Sequence, residues 1–568
     1  MSNQRHTNAW RLVPLVGLLL LGAALVWHDL GTREVLGRDE NATITTLDQP
    51  NLCSVLHATT LKLTGQPGCA QPLYFLIQSA FWPVVGRSAF VFRFLPSVFG
   101  LLTILLTFKL GEALFGREAG LVGAFLTSLL PFHLEYAQIA RPYPLLTTCS
   151  LASAYFLIRA LKTERLWYWL GLVLAATLSF YTHFSALSVL ASEALLTGIV
   201  SLVQLQSARR QGRVYFRLVK PVCAFLVVGL LCLPGLIRLA PFVGEGGGGK
   251  IRVEFTIPFF AQFLYGIGLT GAGSRGLVLG FMAVGLLATL YRRKWRAALF
   301  VVLWLSLPFV VLAFVKAPRP FYPRYVIFVT PVAFLLAGEG IASVARLAGR
   351  LRRRGEPKRV RQTALLVLAV GLAIFFVLPL QVYYSVNRQA DRLDQTLQVL
   401  EHHVQPEDLV IVSPRVLVCP LDARGAQVLY LSDHLAPSEF EELLSRFPRV
   451  WVLYTSYLPP AELQEPLDQW IQAREEEFVR VSIKAITSLA YSNRALTDRQ
   501  AILTDRIAVL KDLAAVSVGQ VGAWLPYGVL ADAYDDLADL YVGQGKSTLA
   551  NEARQQAIEA RETAPRIR

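Results

Sequence analysis

Apolar runs near or above the ~18 residues that read as a bilayer span recur from Val13 to Val382, separated by short polar or basic turns. The pattern predicts spans at roughly 12–28, 91–110, 118–133, 143–160, 166–182, 184–203, 218–240, 275–291, 297–315, 324–345 and 363–382, about eleven in all. A further apolar stretch, 72–86, holds about 15 residues, which is short for a span and typical of an interfacial segment. Between two spans, loop 241–258 carries Gly-Glu-Gly-Gly-Gly-Gly at 244–249, a run that cannot hold a helix. It reads either as a lid over a membrane cavity or as an unconstrained connector.

After Tyr383 the pattern changes. Strand-length apolar runs appear at Leu409–Val412, Gln427–Leu431, Val450–Tyr454 and Phe478–Ile483, with helical segments such as Ser438–Arg446 and Ala461–Arg474 between them. Strands alternating with helices predict a small three-layer α/β domain over 383–490 with a mostly parallel sheet. No glycine-rich phosphate loop follows any strand, so nucleotide binding has no support. Residues 491–568 read as helices. The last pair, about 524–542 and 547–562, resembles one tetratricopeptide-type hairpin through Ala531-Asp-Ala-Tyr534, Gly545-Lys546 at the turn and Ala557-Ile558-Glu559. A lone repeat cannot form a solenoid, so the hairpin is expected to cap the α/β unit rather than stack.

Composition agrees with a membrane chain. Of 568 residues, 54% are hydrophobic and 17% charged, where a soluble domain carries about a quarter charged. Mean hydropathy is +0.45. A soluble globular enzyme and a disordered chain are both excluded. Residues 1–382 hold 37 Lys and Arg against 14 Asp and Glu, whereas 383–568 hold 18 against 26. Because the basic excess lies mostly between apolar spans, it is a topology signal and not a nucleic-acid signal. The basic Arg5 and Arg11 precede the first apolar run and no small-residue cleavage site follows it, so an uncleaved first span is expected.

The placement of 72–86 decides the topology. As a juxtamembrane helix, it leaves Lys109/Arg117, Arg159/Lys162/Arg165, Arg209–Lys220, Arg292–Arg296 and Arg346–Arg361 on one side, together with Arg5 and Arg11. That side is then cytoplasmic, with the N-terminus inside and the C-terminal domain outside. Were 72–86 to span, these loops would face outward while Arg5 and Arg11 stayed inside. The first outward loop is accordingly 29–71, and 1–382 forms the membrane domain.

Acids are scarce in that domain. Glu112, Glu118, Glu164, Glu339 and Glu356 fall at or near the cytoplasmic side, and Glu193 sits mid-span as either a buried polar anchor or part of a lipid pathway. Among outward acids, the Asp39-Glu40 pair in Gly37-Arg38-Asp39-Glu40-Asn41 stands apart, although a solvated turn is the ordinary reading of such a dipeptide. The outward cations are Arg141, in the corner Tyr136-Ala-Gln138-Ile-Ala-Arg141-Pro-Tyr143, and the cluster Lys316, Arg319 and Arg324 ahead of Tyr325. Cations converging near the headgroup plane suit a lipid phosphate, or simply anchor the span ends. Of the six cysteines, Cys149, Cys223 and Cys232 lie in apolar spans and read as core residues. Cys53 and Cys69 share the first outward loop, where they either pair or stay reduced.

In chain order, six motifs resemble the GT-C class of membrane glycosyltransferases, family 39 type, whose relatives include protein O-mannosyltransferases and lipid A aminoarabinose transferases. They are Asp39-Glu40 after the first span, Pro72-Leu73-Tyr74 opening a juxtamembrane helix, Arg93-Phe-Leu-Pro-Ser97 leading a span that ends Leu114-Phe-Gly-Arg117, the Gln138/Arg141/Tyr143 corner, Tyr181-Thr-His183, and Pro323-Arg324-Tyr325. The resemblance covers most of 1–345. Two positions depart from the family pattern: Ala70-Gln71 stand where a His-Pro often precedes Pro-Leu-Tyr, and Ile139 stands where an acid often lies two residues before the Arg.

The resemblance implies a GT-C type polytopic helical fold and transfer of a sugar from a polyprenyl-phosphate donor to an acceptor hydroxyl on a glycan, lipid or protein, with inversion at the anomeric carbon. The chain would sit multi-pass in a plasma (inner) membrane, among its lipids. Asp39 is then the base, with Glu40 second to it, orienting it or touching the acceptor. Arg141, Arg324, Lys316 and Arg319 would stabilise the leaving phosphate, with Tyr143 and Tyr325 as hydroxyl contacts. His183 reads first as span-end packing or a polar cap. A divalent metal is compatible with Asp39, Glu40 and Glu135, but no ligand spacing demands one and no cofactor is expected. Two other readings stand beside this one: a noncatalytic relative scaffolding a cell-surface glycan assembly, and a lipid or polysaccharide transporter. The asymmetry of the outward motifs and the near-absence of mid-span acids apart from Glu193 argue against the transporter, which should show internal repeats and mid-span polar residues.

Overall fold

The computed structural model describes residues 2–28, 30, 40, 43, 47, 71–85, 89–209, 214–244, 257–314, 323–351, 357–384, 402–413, 427–430, 446–455, 479–484, 487–493, 496–517 and 524–563. The chain divides into two compact units, Met1–Thr32 with Ala42–Tyr384, and Arg33–Asn41 with Ser385–Arg568. Asp39, Cys53, Cys69, Lys316, Arg319, the glycine run beyond Gly244 and nearly all of the two helices expected at 438–446 and 461–474 lie outside the described residues.

The first unit is helical. Its helices are α1 (Ser2–Trp27), α2 (Leu73–Val85), α3 (Ala89–Leu114), α4 (Arg117–Ser128), α5 (Pro131–Ala137), α6 (Tyr143–Thr163), α7 (Leu166–Thr182), α8 (Ala186–Arg209), α9 (Val214–Gly244), α10 (Ile257–Gly266), α11 (Ala272–Tyr291), α12 (Trp295–Phe314), α13 (Val329–Leu351) and α14 (Pro357–Val382). Among the described residues, seven helices are long and apolar enough to cross a membrane, and Val13–Trp27, Leu166–Thr182 and Trp295–Val311 are shorter apolar helices. The chain is a multi-pass membrane protein.

Two predicted spans are redrawn. The apolar run 118–133 does not make one helix: α4 ends at Ser128, Leu130 is extended (φ −73°, ψ 117°), and Pro131 opens the short α5. Proline lacks the N–H that a continuing helix needs and disfavours helical geometry in the residue before it, so apolarity alone overestimated the helix. The run at 324–345 instead begins with a 3-10 turn, Pro323–Val326, and its helix is α13, shifted C-terminally. The 72–86 stretch forms the 13-residue α2. Cys149 and Cys232 are buried as expected, but Cys223 is exposed and is not a core residue.

Helix α13 lies at the centre of the bundle, packed on α4, α11 and α14. Glycines permit the closest approaches. A Cβ on Gly340 would stand 2.0 Å from the Phe281 carbonyl oxygen, and one on Gly285 would stand 2.1 Å from that of Leu336. Small residues at crossings let backbones approach where apolar lipid supplies no hydrophobic drive between helices. Polar side chains cross the bundle too. Ser150 and Ser179 hydroxyls lie 2.9 Å apart, and Ser153 Oγ lies 2.7 Å from Glu193, which is fully buried. Glu193 is thus a polar anchor between α6 and α8.

At one end of the bundle the basic turns meet. Glu339 accepts from Arg292 at 3.0 Å and Arg346 at 2.7 Å. Glu118 pairs with Arg346 at 3.8 Å and with Arg361. Lys294 donates to the Phe115 carbonyl at 3.2 Å, Lys162 to that of Ala113, and Lys220 to that of Glu164 at 2.8 Å. The turns after α3, α6 and α11, the starts of α9 and α14 and the end of α13 therefore share this end.

The second unit holds β1 (Leu409–Ser413), β2 (Gln427–Tyr430), β3 (Arg449–Thr455), β4 (Val479–Lys484) and β5 (Thr487–Asn493), then α15 (Arg499–Ser517), α16 (Trp524–Gly543) and α17 (Ser547–Thr563). The sheet order is β2-β1-β3-β5-β4, with β2, β1 and β3 parallel and β3, β5 and β4 antiparallel. It is mixed, where a mostly parallel sheet was expected. The difference is β5: only two residues separate it from β4, too few for a crossover helix, and its polar sequence masks the strand. Trp451 and Tyr491 are buried together with Leu510, Leu513, Tyr534 and Ala557, so the helices pack on the sheet. Asp408 accepts from the Trp451 indole at 2.9 Å beneath this core. Gly545, at φ 70°, supplies the left-handed residue of the turn between α16 and α17.

Candidate functional site

The end of the bundle opposite the basic turns is built around the corner between α5 and α6. Gln138, 1% exposed, fastens it. Its amide nitrogen donates to the carbonyls of Val26 at 2.8 Å and His28 at 3.1 Å, at the end of α1, and its amide oxygen accepts from the Tyr383 hydroxyl at 2.5 Å, at the end of α14. An amide presents both donor and acceptor, so one side chain bonds groups at two helix ends. Thr43 adds a bond to the Ala140 carbonyl at 2.9 Å. The neighbouring motif residues serve the same junction: Trp27 donates to Ser97 Oγ at 3.0 Å, and the buried Arg93 lies 3.5 Å from the Leu30 carbonyl.

From that fixed corner the chain presents Arg141 and then Tyr143, the first residue of α6. Arg324 arrives from the 3-10 turn, which is held by Trp304: its indole donates to the Phe328 carbonyl at 3.1 Å. The two guanidiniums converge on one ring. Arg141 Cζ lies 6.0 Å and Arg324 Cζ 5.9 Å from the Tyr143 centroid, and Arg324 is also 5.8 Å from that of Tyr325. Tyr143 is buried, while both arginines and Tyr325 are half-buried.

His183, the C-cap of α7, completes the group. Its ring lies 5.5 Å from Tyr143 and is stacked on Tyr325 at 5.9 Å and Phe184 at 4.6 Å. The Ser185 backbone N–H donates to Nδ1 at 3.3 Å, so Nδ1 accepts and the ring proton belongs on Nε2. Burial first, then the Arg141 and Arg324 charges, push its pKa down to about 3. The low pKa keeps this imidazole neutral, a polar spacer between two cations.

Of the sequence-predicted site residues, the structure brings together Arg141, Tyr143, Arg324 and Tyr325. Glu40 is buried and belongs to the other unit. Asp39, Lys316 and Arg319 lie outside the described residues. Sequence reasoning undervalued Gln138, taken only as a motif letter, and His183. The available signal was the spacing of Gln138 and Arg141 across a tight corner, but its partners are more than 100 residues away in either direction. Among the described residues, no group of three or more His, Cys, Asp or Glu is placed to hold a metal ion. The arrangement can bind a compact anion: two arginines positioned by separate elements, walled by aromatic rings, offer preorganised donors and positive charge.

Comparison with known proteins finds a family match and a shared fold. Residues 66–236 match the family model described as dolichyl-phosphate-mannose-protein mannosyltransferase. No curated protein matches the chain. ArnT from Cupriavidus metallidurans in the apo state is similar in structure at a TM-score of 0.53 and 14% identity, over 87% of this chain and 99% of that one. The same protein bound to undecaprenyl phosphate gives 0.52 and 13%, over 85% and 98%. At such identities the likeness is one of fold. The family match over residues 66–236 and the shared fold make the chain similar to the GT-C class membrane glycosyltransferases of the family 39 type.

Proposed function

We propose that the chain transfers a sugar from a polyprenyl-phosphate donor to an acceptor hydroxyl on the outer face of a plasma membrane, with inversion. The observation that carries this reading is the convergence of Arg141 and Arg324 on Tyr143 beside a neutral His183. Undecaprenyl phosphate bound by the Cupriavidus ArnT supports a donor of that lipid class. The orientation follows from the basic end of the bundle, which the positive-inside rule puts in the cytoplasm together with the start of α1. The C-terminal unit is then extracytoplasmic.

In the proposed step the acceptor oxygen attacks the anomeric carbon as the bond from that carbon to the phosphate oxygen breaks. The bonding pair stays on the phosphate, which goes from diester to monoester and gains negative charge. Arg141 and Arg324 stabilise that charge, with Lys316, Arg319 and the Tyr143 and Tyr325 hydroxyls as further contacts. Asp39 takes the hydroxyl proton and Glu40 orients it; the step needs no metal. Purified protein in lipid would be given a panel of polyprenyl-phosphate sugars and total membrane extract, and release of polyprenyl phosphate would be measured. Wild type turns over with or without chelator, and Asp39→Asn loses at least ~100-fold, the low end for a general base. Equal turnover in the variant removes Asp39 from the role, and no turnover with any donor favours the scaffold reading.

A further inference from the structure

At the basic end of the bundle lies a cavity of about 540 Å³ between the end of α3, the end of α6, α8 and the α11–α12 turn. It is far along the helices from the Arg141 corner, so nothing in the transfer reading uses it. Four cations line it: Lys162, Arg293, Lys294 and Arg296. The single acid on its wall, Glu112, already lies 3.8 Å from both Lys109 and Arg117. Ile158, Leu161 and Leu196 make the deeper wall apolar. Trp295, 38% exposed, stands at the mouth with Arg296 Cζ 5.5 Å from its ring.

The two lysines have a structural duty, since both donate to carbonyls at the end of α3. Each ammonium nevertheless carries three N–H donors, and a helix end uses only part of that capacity. The arginines have no such duty in the described contacts. Arg293 is the more informative. It sits at φ 55°, in the left-handed turn that ends α11, where its own N–H donates to Leu290 and the next N–H to Thr289. Glycine is the low-strain residue for such a helix end, and arginine holds it here as Glu164 does at the end of α6, each at φ 55°. Unlike Glu164, Arg293 lines the cavity.

We propose that this cavity binds the phosphodiester headgroup of an anionic phospholipid from the adjoining leaflet, with an acyl chain against the apolar wall. A cationic rim over an apolar wall with an interfacial tryptophan suits an amphiphile better than a free ion. Basic pockets between spans on the cytoplasmic side hold anionic headgroups by this logic. The proposal stands apart from the transfer reaction and survives its failure.

Detergent-purified full-length protein would be titrated with phosphatidylglycerol, phosphatidylcholine or inorganic phosphate, and bound ligand counted by native mass spectrometry. Wild type should retain phosphatidylglycerol over phosphatidylcholine. Arg293→Gly and Arg296→Gln should each weaken that retention roughly fivefold, at about 1 kcal/mol per cation. Arg293→Gly should meanwhile keep or raise the thermal midpoint, because glycine suits φ 55°; this separates lost binding from lost folding. Equal retention of the two lipids, unchanged retention in both variants, or phosphate binding as tightly as the lipid overturns the proposal.

Discussion

Replacing Gln138 with leucine tests whether the corner carrying Arg141 is held by one amide. The substitution keeps side-chain volume close and removes every polar contact. It removes the Gln138 acceptor from the buried Tyr383 hydroxyl, and the carbonyls of buried Val26 and exposed His28 each lose a donor. A buried polar group that loses its partner costs ~1–3 kcal/mol. Because a carbonyl tolerates one empty lone pair better than a buried hydroxyl tolerates loss of an acceptor, the sum is set at ~3 kcal/mol, against ~1 kcal/mol for an average substitution. Gln138→Glu should do no better despite its polarity, since an ionised carboxylate only accepts and would face two carbonyl oxygens. The assay is unfolding of purified protein in mixed micelles by titrated sodium dodecyl sulfate, with Tyr383→Phe and the double variant completing a cycle. The double variant should cost less than the sum of the singles by ~0.5–3 kcal/mol, the range for directly bonded pairs. A Gln138→Leu cost below ~0.5 kcal/mol, or an additive cycle, would refute the clasp.

Two further outcomes follow from the same unit. The folded His183 titrates near 3 whereas the unfolded side chain titrates near 6.5, so the unfolded chain binds more protons between those values and acid weakens the fold. Stability of wild type should fall as pH drops through that window by up to about 1.4 kcal/mol per unit, with a shallower slope in His183→Gln; parallel slopes would show that the ring is not kept neutral. Gly340→Ala places a Cβ 2.0 Å from a backbone oxygen of α11 and should cost ~1–3 kcal/mol, read as a lower thermal midpoint, while Gly280→Ala, which meets nothing within 4 Å, should be neutral or stabilising.

Much of this molecule is written in local pattern. Long apolar runs, the change of period after Tyr383 and the one-sided basic turns are properties of consecutive residues, since bilayer thickness and strand pleat act over short stretches. The meeting of Arg292, Arg346 and Arg361 around Glu339 and Glu118 agrees with the grouping of those turns on one side. The errors were local as well: Pro131 ended a run that apolarity alone continued, and β5 was lost because Thr, Ser and Asn interrupt its alternation.

By itself, then, the sequence determined a membrane-spanning helical unit, a tail of different period and the cations at two span-end corners. Tertiary structure decided which of them meet. Arg141 and Arg324 lie 183 positions apart in the chain and converge on one tyrosine, with Gln138 tying the first corner and Trp304 bonded beside the second. Gln138 acquires its role from Val26 and Tyr383, and His183 its neutrality from burial beside two guanidiniums. The physical reason is that hydrogen-bond satisfaction and desolvation depend on distance in space, which neither composition nor periodicity encodes.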